Sequence, residues 1–392
     1  MNTSFEKSET YGLILTEEFR RAERKTNQHM FVSLIFISLL TIGGLSLTYL
    51  FARDETLLWR AAAGNIVGSA VFGLICFLMA SAFGFTQTTI ILSLFVSLLP
   101  LILFGRKDFR SGFSNDWQAA KKNLEGADFG RLVRFAYYVF FFVLLWFFFE
   151  RAMLVKPDGI FTGASQNLGD LPFHLGAIFS FTEGNNFPPE NPSFAFAKFS
   201  YPFIADLITA SFVKLGAGIR EAMLLQNVFF GFSLVVLLER FVFKLTGNRL
   251  AGKLAPALLL FGGGLGFLWF LDDYRQQSLA FFDFLMKLPS DYTIGEKFRW
   301  GNSLVALFVT QRSLLFGMPL TLIVLQKLWV LFATENTEKH REEINRDDQD
   351  LQNKKPFSIF HFLRRFACRN LGAGSRPQPC SFVRRQRVFV FF

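Results

Sequence analysis

Residues 135–149 read FAYYVFFFVLLWFFF, an unbroken apolar and aromatic run. A helix built from it is hydrophobic on every side, which water does not tolerate unless protein or lipid covers it. Crossing a hydrocarbon layer of ~30 Å takes roughly 20 helical residues. Runs of that order recur at 30–51, 62–84, 88–105, 132–152, 222–243, 254–271 and 313–333, with 201–217 a weaker candidate. Composition agrees: 18% of the 392 residues are charged, against ~25% in an ordinary soluble domain, and mean hydropathy is +0.33. The expected fold is therefore all-α, a polytopic transmembrane helical bundle of about 7–8 spans.

Loop charge orders the bundle. Lys and Arg concentrate in cytoplasmic loops, and 106–131 carries Arg106, Lys107, Arg110, Lys121, Lys122 and Arg131, while 240–253 carries Arg240, Lys244, Arg249 and Lys253. Between them, 155–200 holds only Lys156 and Lys198 against Asp158, Asp170, Glu183 and Glu190 and is expected outside. An even number of crossings then separates the two basic loops, so 201–217, with Asp206 and Lys214, is expected to lie as an amphipathic helix in the interface. The net charge of +10 is dispersed between apolar segments, which argues against a nucleic-acid partner and for a lipid bilayer. Residues 1–29 are polar, so the first span is expected to remain as an anchor, although three spans before residue 106 put this basic segment outside, against the charge rule. The expected organisation is a polar segment 1–29, transmembrane helices 30–154, an outer loop 155–221 carrying interfacial helices, transmembrane helices 222–333 with a second outer loop 272–312, and a tail 334–392. The tail opens highly charged and reads as solvated helix or disorder; its basic-aromatic remainder reads as membrane-surface-bound or as a non-native extension.

Chemistry concentrates in the outer loops. GDLPFHLG (169–176) sets Asp170 and His174 one helical turn apart, on one face, with Asp170 suited to an N-cap and Pro172 to the first turn. The plain reading is a capping carboxylate and an interface histidine. The following TEGNNFPPENPSFAFAKFSYPF is long for a connection and stiffened by Pro188, Pro189 and Pro192, and long ordered loops are disproportionately functional. Phe194, Phe196, Phe199 and Tyr201 are expected to hold it against the bilayer. A carboxylate, an imidazole, Lys198 and aromatic platforms at a membrane surface can deprotonate a hydroxyl, bind a sugar ring or hold a lipid phosphate. The second loop adds Arg299 beside Trp300, and Arg312 at the mouth of the last span. Arginine's planar fork suits phosphate oxygens, and all three residues also read as interface anchors. FGGGLG (261–266) lacks the Lys and Ser/Thr of a phosphate loop and is expected to serve close helix packing. Lys327 is the one ionisable residue well inside an expected span. Cys76, Cys368 and Cys380 have neither metal-ligand spacing nor a convincing pairing, and Cys76 reads as a buried thiol.

Over about 132–333, GDLPFHLG with NNFPPENPSF, YPF, RWGNS and TQRS resembles the GT-C superfamily of polytopic glycosyltransferases, in the bacterial branch related to protein mannosyltransferases. The resemblance implies a multi-pass protein of the plasma (bacterial inner) membrane that takes a polyprenyl-phosphate sugar donor and a hydroxyl-bearing acceptor. It also implies Asp170 as catalytic base, His174 orienting it or touching phosphate, and an interfacial helix at 201–217. Lys198, Arg299 and Arg312 would stabilise the departing lipid phosphate; Tyr201 and Trp300 would stack on sugar or anchor at the interface. Many members show two neighbouring acids where Asp170 stands without one, so no metal ligands are assigned and a divalent metal is left open. The alternatives are a transporter or flippase for a lipid-linked sugar, and an inactive membrane scaffold.

Overall fold

The computed structural model describes residues 30–353 apart from 53, 126–128, 157–158, 164–166, 195, 263, 291, 293, 296–297 and 300, and leaves out the side chains of 124, 294–295, 298–299 and 333–353. The expectations for residues 1–29, Trp300, the Arg299 side chain, Cys368, Cys380 and 354–392 lie outside the described residues. The chain is mostly helical, and five helices are long and apolar enough to cross a membrane: α1 (Met30–Phe51), α2 (Leu57–Phe83), α3 with its 3-10 extension (Gln87–Gly105), α5 (Phe129–Ala152) and the first part of α12 (Arg312–Phe332). Between α3 and α5 lies α4 (Lys107–Leu124). The remaining helices are α6 (Asp170–Thr182), α7 (Ile204–Lys214), α8 (Ile219–Thr246), α9 (Arg249–Phe261), α10 (Phe267–Gln276) and α11 (Phe281–Met286). Two short antiparallel hairpins, β1–β2 (Met153–Lys156 with Gly159–Thr162) and β3–β4 (Ile294–Gly295 with Phe298–Arg299), join elements in the loops. The chain divides after Trp329; α12 continues as helix to Asn353.

Polar contacts identify two ends of the bundle. At one, Arg60 Nε and Tyr49 Oη both donate to Asp116 Oδ2, at 2.7 and 2.9 Å. There also, Arg240 (2.7 Å) and Lys244 (2.9 Å) pair with the buried Glu55, which accepts from Gln326 Nε2 as well. These are the expected basic loops, gathered together. At the opposite end, Phe85 N donates to Asn185 Oδ1 at 2.8 Å and Gln87 Nε2 donates to the Lys214 carbonyl at 2.9 Å. Helices α1, α2 and α3 alternate in direction between these ends, so residue 30 sits opposite the basic loops. Three helices long and apolar enough to cross a membrane thus precede the basic residues 106–131, as the apolar runs led one to expect.

The α1–α2 crossing depends on three glycines. A Cβ at Gly64 would lie 2.6 Å from Leu45 N, and Cβ atoms at Gly44 or Gly68 would overlap the backbones of Gly64 and Leu40. Gly64 and Gly68 form a G-x-x-x-G pattern, which lets two backbones approach where lipid offers no hydrophobic drive to associate. By contrast, among the described residues FGGGLG lines no close contact between two helices, although a Cβ at Gly266 would overlap the Tyr292 carbonyl in the following loop. The expected span 254–271 is broken there: α9 stops at Phe261, its 13 residues reaching only about 20 Å, and the Phe140 and Phe261 rings meet at 6.4 Å, opposite the middle of α5. The break is sealed by Asn302, whose Nδ2 donates to the Leu260 and Gly262 carbonyls at 2.8 and 3.1 Å. Its Oδ1 accepts from Leu304 N at 2.9 Å and Val305 N at 3.3 Å, capping a π-helical turn at Ser303–Phe308. Backbone groups freed at membrane depth need such partners.

The segment 201–217 also departs from expectation. It forms α7, too short at 11 residues, about 16 Å, to cross, as crossing parity demanded. Yet Ala205 through Phe212 are all buried, so α7 is an internal helix packed among α2, α6 and α8 and not one lying on the membrane surface. Helix α8, 28 residues long and buried over most of Ala222–Leu237, is the bundle's central element.

Substituting Gly68→Val is expected to lower stability by about 1–3 kcal/mol. Gly176→Ala, where an added Cβ meets nothing within 4 Å in a helical context, is expected to be neutral or stabilising by up to about 1 kcal/mol. Denaturant midpoints of the two variants in detergent micelles check the contrast.

Candidate functional site

Four elements converge at the loop end: α6, α7, α8 and the junction from the π-helical turn into α12. Helix α6 begins at Asp170 and takes Gly169 as its N-cap, without a side-chain capping bond. The expectation that Asp170 caps the helix is therefore corrected. Its carboxylate turns across the bundle, where Oδ1 accepts from Gln311 Nε2 at 2.6 Å. The Gln311 amide oxygen accepts from Tyr201 Oη at 2.8 Å, and Ser313 Oγ donates to Tyr201 Oη at 3.1 Å. Among the described residues no further hydrogen bond reaches the Asp170 carboxylate. Burial pushes the Tyr201 phenol above its ordinary pKa; the Ser313 hydrogen bond opposes this, and the Asp206 and Asp170 carboxylates reinforce it. The phenol is accordingly a neutral donor across the physiological range.

One turn deeper lies a closed charge network. His174, Asp206 and Arg312 are 2%, 1% and 1% exposed. Arg312 Nη1 donates to Asp206 Oδ1 at 2.7 Å, Nη2 to Thr209 Oγ1 at 2.6 Å and Nε to Asn227 Oδ1 at 3.2 Å. Thr209 is joined to Gln226 Oε1 at 2.8 Å, and Gln226 Nε2 donates to the Ala205 carbonyl at 2.8 Å. His174 Nδ1 lies 2.8 Å from Asp206 Oδ2, and Nε2 lies 3.0 Å from the Thr310 carbonyl. Through these two contacts the imidazole ties α7 to the junction that enters α12. A small cavity of about 20 Å³, room for on the order of one water, lies against His174, Asn227 and Arg312, with Asn167 and Arg220 also on its wall.

Asp170 and His174 do share a face, since their partners, Gln311 and Thr310, are consecutive. Their roles diverge from expectation. His174 holds Asp206 instead of orienting Asp170, and Arg312 spends its guanidinium on Asp206, Thr209 and Asn227 inside the protein, beyond reach of a lipid phosphate. Lys198 is exposed and faces Glu190 through an isolated backbone bridge. Tyr201 packs edge-on to Phe173 at 4.9 Å and stacks on Phe199 at 6.2 Å, so its ring is already occupied by protein. Phe199 is buried, whereas Phe194 and Phe196 are exposed, which leaves those two able to meet a bilayer. Arg299 is placed on β4 by its backbone. Among the described residues no group of three or more His, Cys, Asp and Glu side chains is placed to hold a metal; Asp170 is joined to the Gln311 amide and Asp206 to Arg312 and His174.

Asp206, Thr209, Asn227, Gln226 and Gln311 carry the site and escaped the sequence reading. TQRS was visible as a polar cluster, but its partners are 85 to 141 residues away. Comparisons with protein-family models, curated proteins and solved structures find no match.

Removing one partner of a buried ion pair leaves an uncompensated charge, at about 3–5 kcal/mol, whereas replacing both by apolar residues is often near neutral. Asp206→Ala and Arg312→Ala are each expected to destabilise by that amount, and the double variant Asp206→Leu with Arg312→Met to recover most of it. Unfolding midpoints in micelles measure all three.

Proposed function

We propose that the protein is a GT-C-type membrane glycosyltransferase that moves a hexosyl or pentosyl group from a polyprenyl-phosphate donor to a hydroxyl acceptor. In this reading it is a bacterial inner-membrane protein with the loop end facing outward. The five apolar helices are joined by α8 as a sixth crossing and by the broken path beginning at α9 as a seventh. The observation that carries the reading is the state of Asp170: a half-buried carboxylate at the loop end, held through one oxygen by Gln311, with its other oxygen unclaimed among the described residues.

In the transfer, Asp170 accepts the proton of the acceptor hydroxyl as that oxygen attacks the anomeric carbon; the sugar–phosphate bond breaks and its electron pair leaves with the phosphate. Gln311, fixed beside Arg312, donates to Asp170 Oδ1 and orients the carboxylate. Tyr201, which accepts from Ser313, donates to the Gln311 amide oxygen and so holds the amide in the sense that presents its N–H₂ to Asp170. His174 and Arg312 are positioning residues, since they are enclosed and touch Asp206. The cations left for the departing phosphate are Lys198, exposed in the same loop, and Arg299.

A second reading, movement of a lipid-linked sugar across the bilayer, draws on the helix break at Gly262–Gly266, because interrupted helices at mid-depth line transport paths. One preparation separates the two. The full chain is reconstituted in vesicles with labelled polyprenyl-phosphate hexose or pentose and a hydroxyl acceptor, and sugar transfer and lipid movement are both followed. The expected result is transfer that falls by about 100-fold or more in Asp170→Asn with the unfolding midpoint unchanged. Transfer that survives the substitution overturns the base assignment; lipid movement without bond cleavage overturns the enzyme.

A further inference from the structure

The basic end of the bundle carries a feature the site does not use. Helix α4 follows directly on the span ending at Gly105 and is followed by the span beginning at Phe129. Its 18 residues extend about 27 Å, and the link from Leu124 to Phe129 reaches under about 18 Å. Both ends of α4 are thus tethered to points where helices leave the hydrocarbon, so the helix runs close to the bilayer surface.

Its inner side is fixed. Asp116 accepts from Arg60 and Tyr49, and Gly112 rests on the Tyr49 ring, where a Cβ would lie 3.4 Å from a ring carbon. Phe109 meets the same ring at 6.5 Å. That latch sets the rotation of α4 about its own axis, and with it the direction of the adjoining face. Arg106 at the helix N-cap, then Arg110, Phe113, Trp117 and Lys121, follow at spacings of four, three, four and four residues and so form one stripe. All five are exposed, Trp117 by 58%. Phe113 stacks on Trp117 at 6.3 Å and meets Phe104, in the end of the α3 span, edge-on at 5.8 Å, so the aromatic surface continues into the membrane-crossing helix. The acid Asp108 lies off this stripe, Asp116 is taken up by Arg60, and Glu125, one turn beyond Lys121, meets it at 3.6 Å in an exposed pair, which water and salt screen and a head-group phosphate can replace.

We propose that this face of α4 is a docking surface for anionic phospholipid of the leaflet at the basic end, with Phe113 and Trp117 entering the acyl boundary and Arg106, Arg110 and Lys121 receiving head-group phosphates. Aromatic residues flanked by cations on a helix held at the surface match that partner in depth and in charge. Arginine and lysine side chains can lay their methylene stems along the aromatic pair while their charges reach the head groups.

The full chain is reconstituted in bilayers of phosphatidylcholine with a minor fraction of phosphatidylglycerol, bromine being carried on the acyl chains of one lipid or the other. Fluorescence of Trp117 is taken as the difference between the unaltered chain and Trp117→Phe. Quenching by both lipids is expected, stronger per brominated molecule by at least about twofold for phosphatidylglycerol. Arg110→Gln with Lys121→Gln is expected to abolish that preference while leaving quenching by phosphatidylcholine intact. Equal quenching in the unaltered chain overturns the proposal, as does a preference that survives the double substitution. Absence of quenching by either lipid also overturns it.

Discussion

The ion pair between Asp206 and Arg312, 2.7 Å apart and almost wholly enclosed, is the contact on which the loop end depends. Neither charge is tolerable alone in such a place, so α7 cannot leave the core and α12 cannot start elsewhere. The geometry is met by more than the pair itself. Thr209 and Asn227 take two further guanidinium donors, and His174 takes the second carboxylate oxygen. Helices α6, α7, α8 and α12 are thereby registered to one another by bonds with direction, where apolar packing alone would allow them to slide or rotate.

The opposite end solves the same problem with other residues. Glu55 is enclosed by Arg240, Lys244 and Gln326, and Asp116 by Arg60 and Tyr49. Between the two ends, contacts are mostly apolar and depend on shape, as in the Gly44, Gly64 and Gly68 crossing. The polar exceptions there are short and paired, such as Asn65 Nδ2 donating to Ser233 Oγ at 3.0 Å and to the Phe229 carbonyl at 3.2 Å. Directional polar contacts at the ends and close backbone approach in the middle are complementary ways of fixing helices in a solvent that gives no hydrophobic incentive to associate.

The apolar helices were legible because length and uninterrupted hydrophobicity are properties of contiguous residues: 30–51, 88–105, 132–152 and 313–333 all fall on helices with ends close to those expected. The gathering of 106–131 and 240–253 at one end followed from charge for the same reason. What sequence could not supply was pairing across long separations. Asp206 and Lys214 marked α7 as amphipathic, yet Asp206 is neutralised by a residue 106 positions away and Lys214 turns to the Thr182 carbonyl, so their polarity signals internal partners. The His174 partner was misread because Asp170 is its neighbour in the chain and Asp206 its neighbour in space. FGGGLG misled in the opposite direction: glycine permits both tight packing and chain reversal, and the partner that decides between them, Asn302, lies some 40 residues on.

Two carboxylates at the loop end differ in one respect that matters for chemistry. Asp206 is held on Oδ1 by Arg312 and on Oδ2 by His174 and is closed to solvent, so its role is to hold structure. Asp170 is half-buried and joined by a single neutral amide, which orients the carboxylate without neutralising it. That amide belongs to Gln311, the residue beside Arg312, so the rigidity of the buried pair passes through one peptide unit to the group that sets the Asp170 angle. The Thr310 carbonyl, on the other side of Gln311, is held by His174 from the same helix as Asp170. The three consecutive residues 310–312 thus fasten α6 at one turn and address the Asp170 carboxylate at the turn before. A disturbance of Asp206 would reach Asp170 as a change of position.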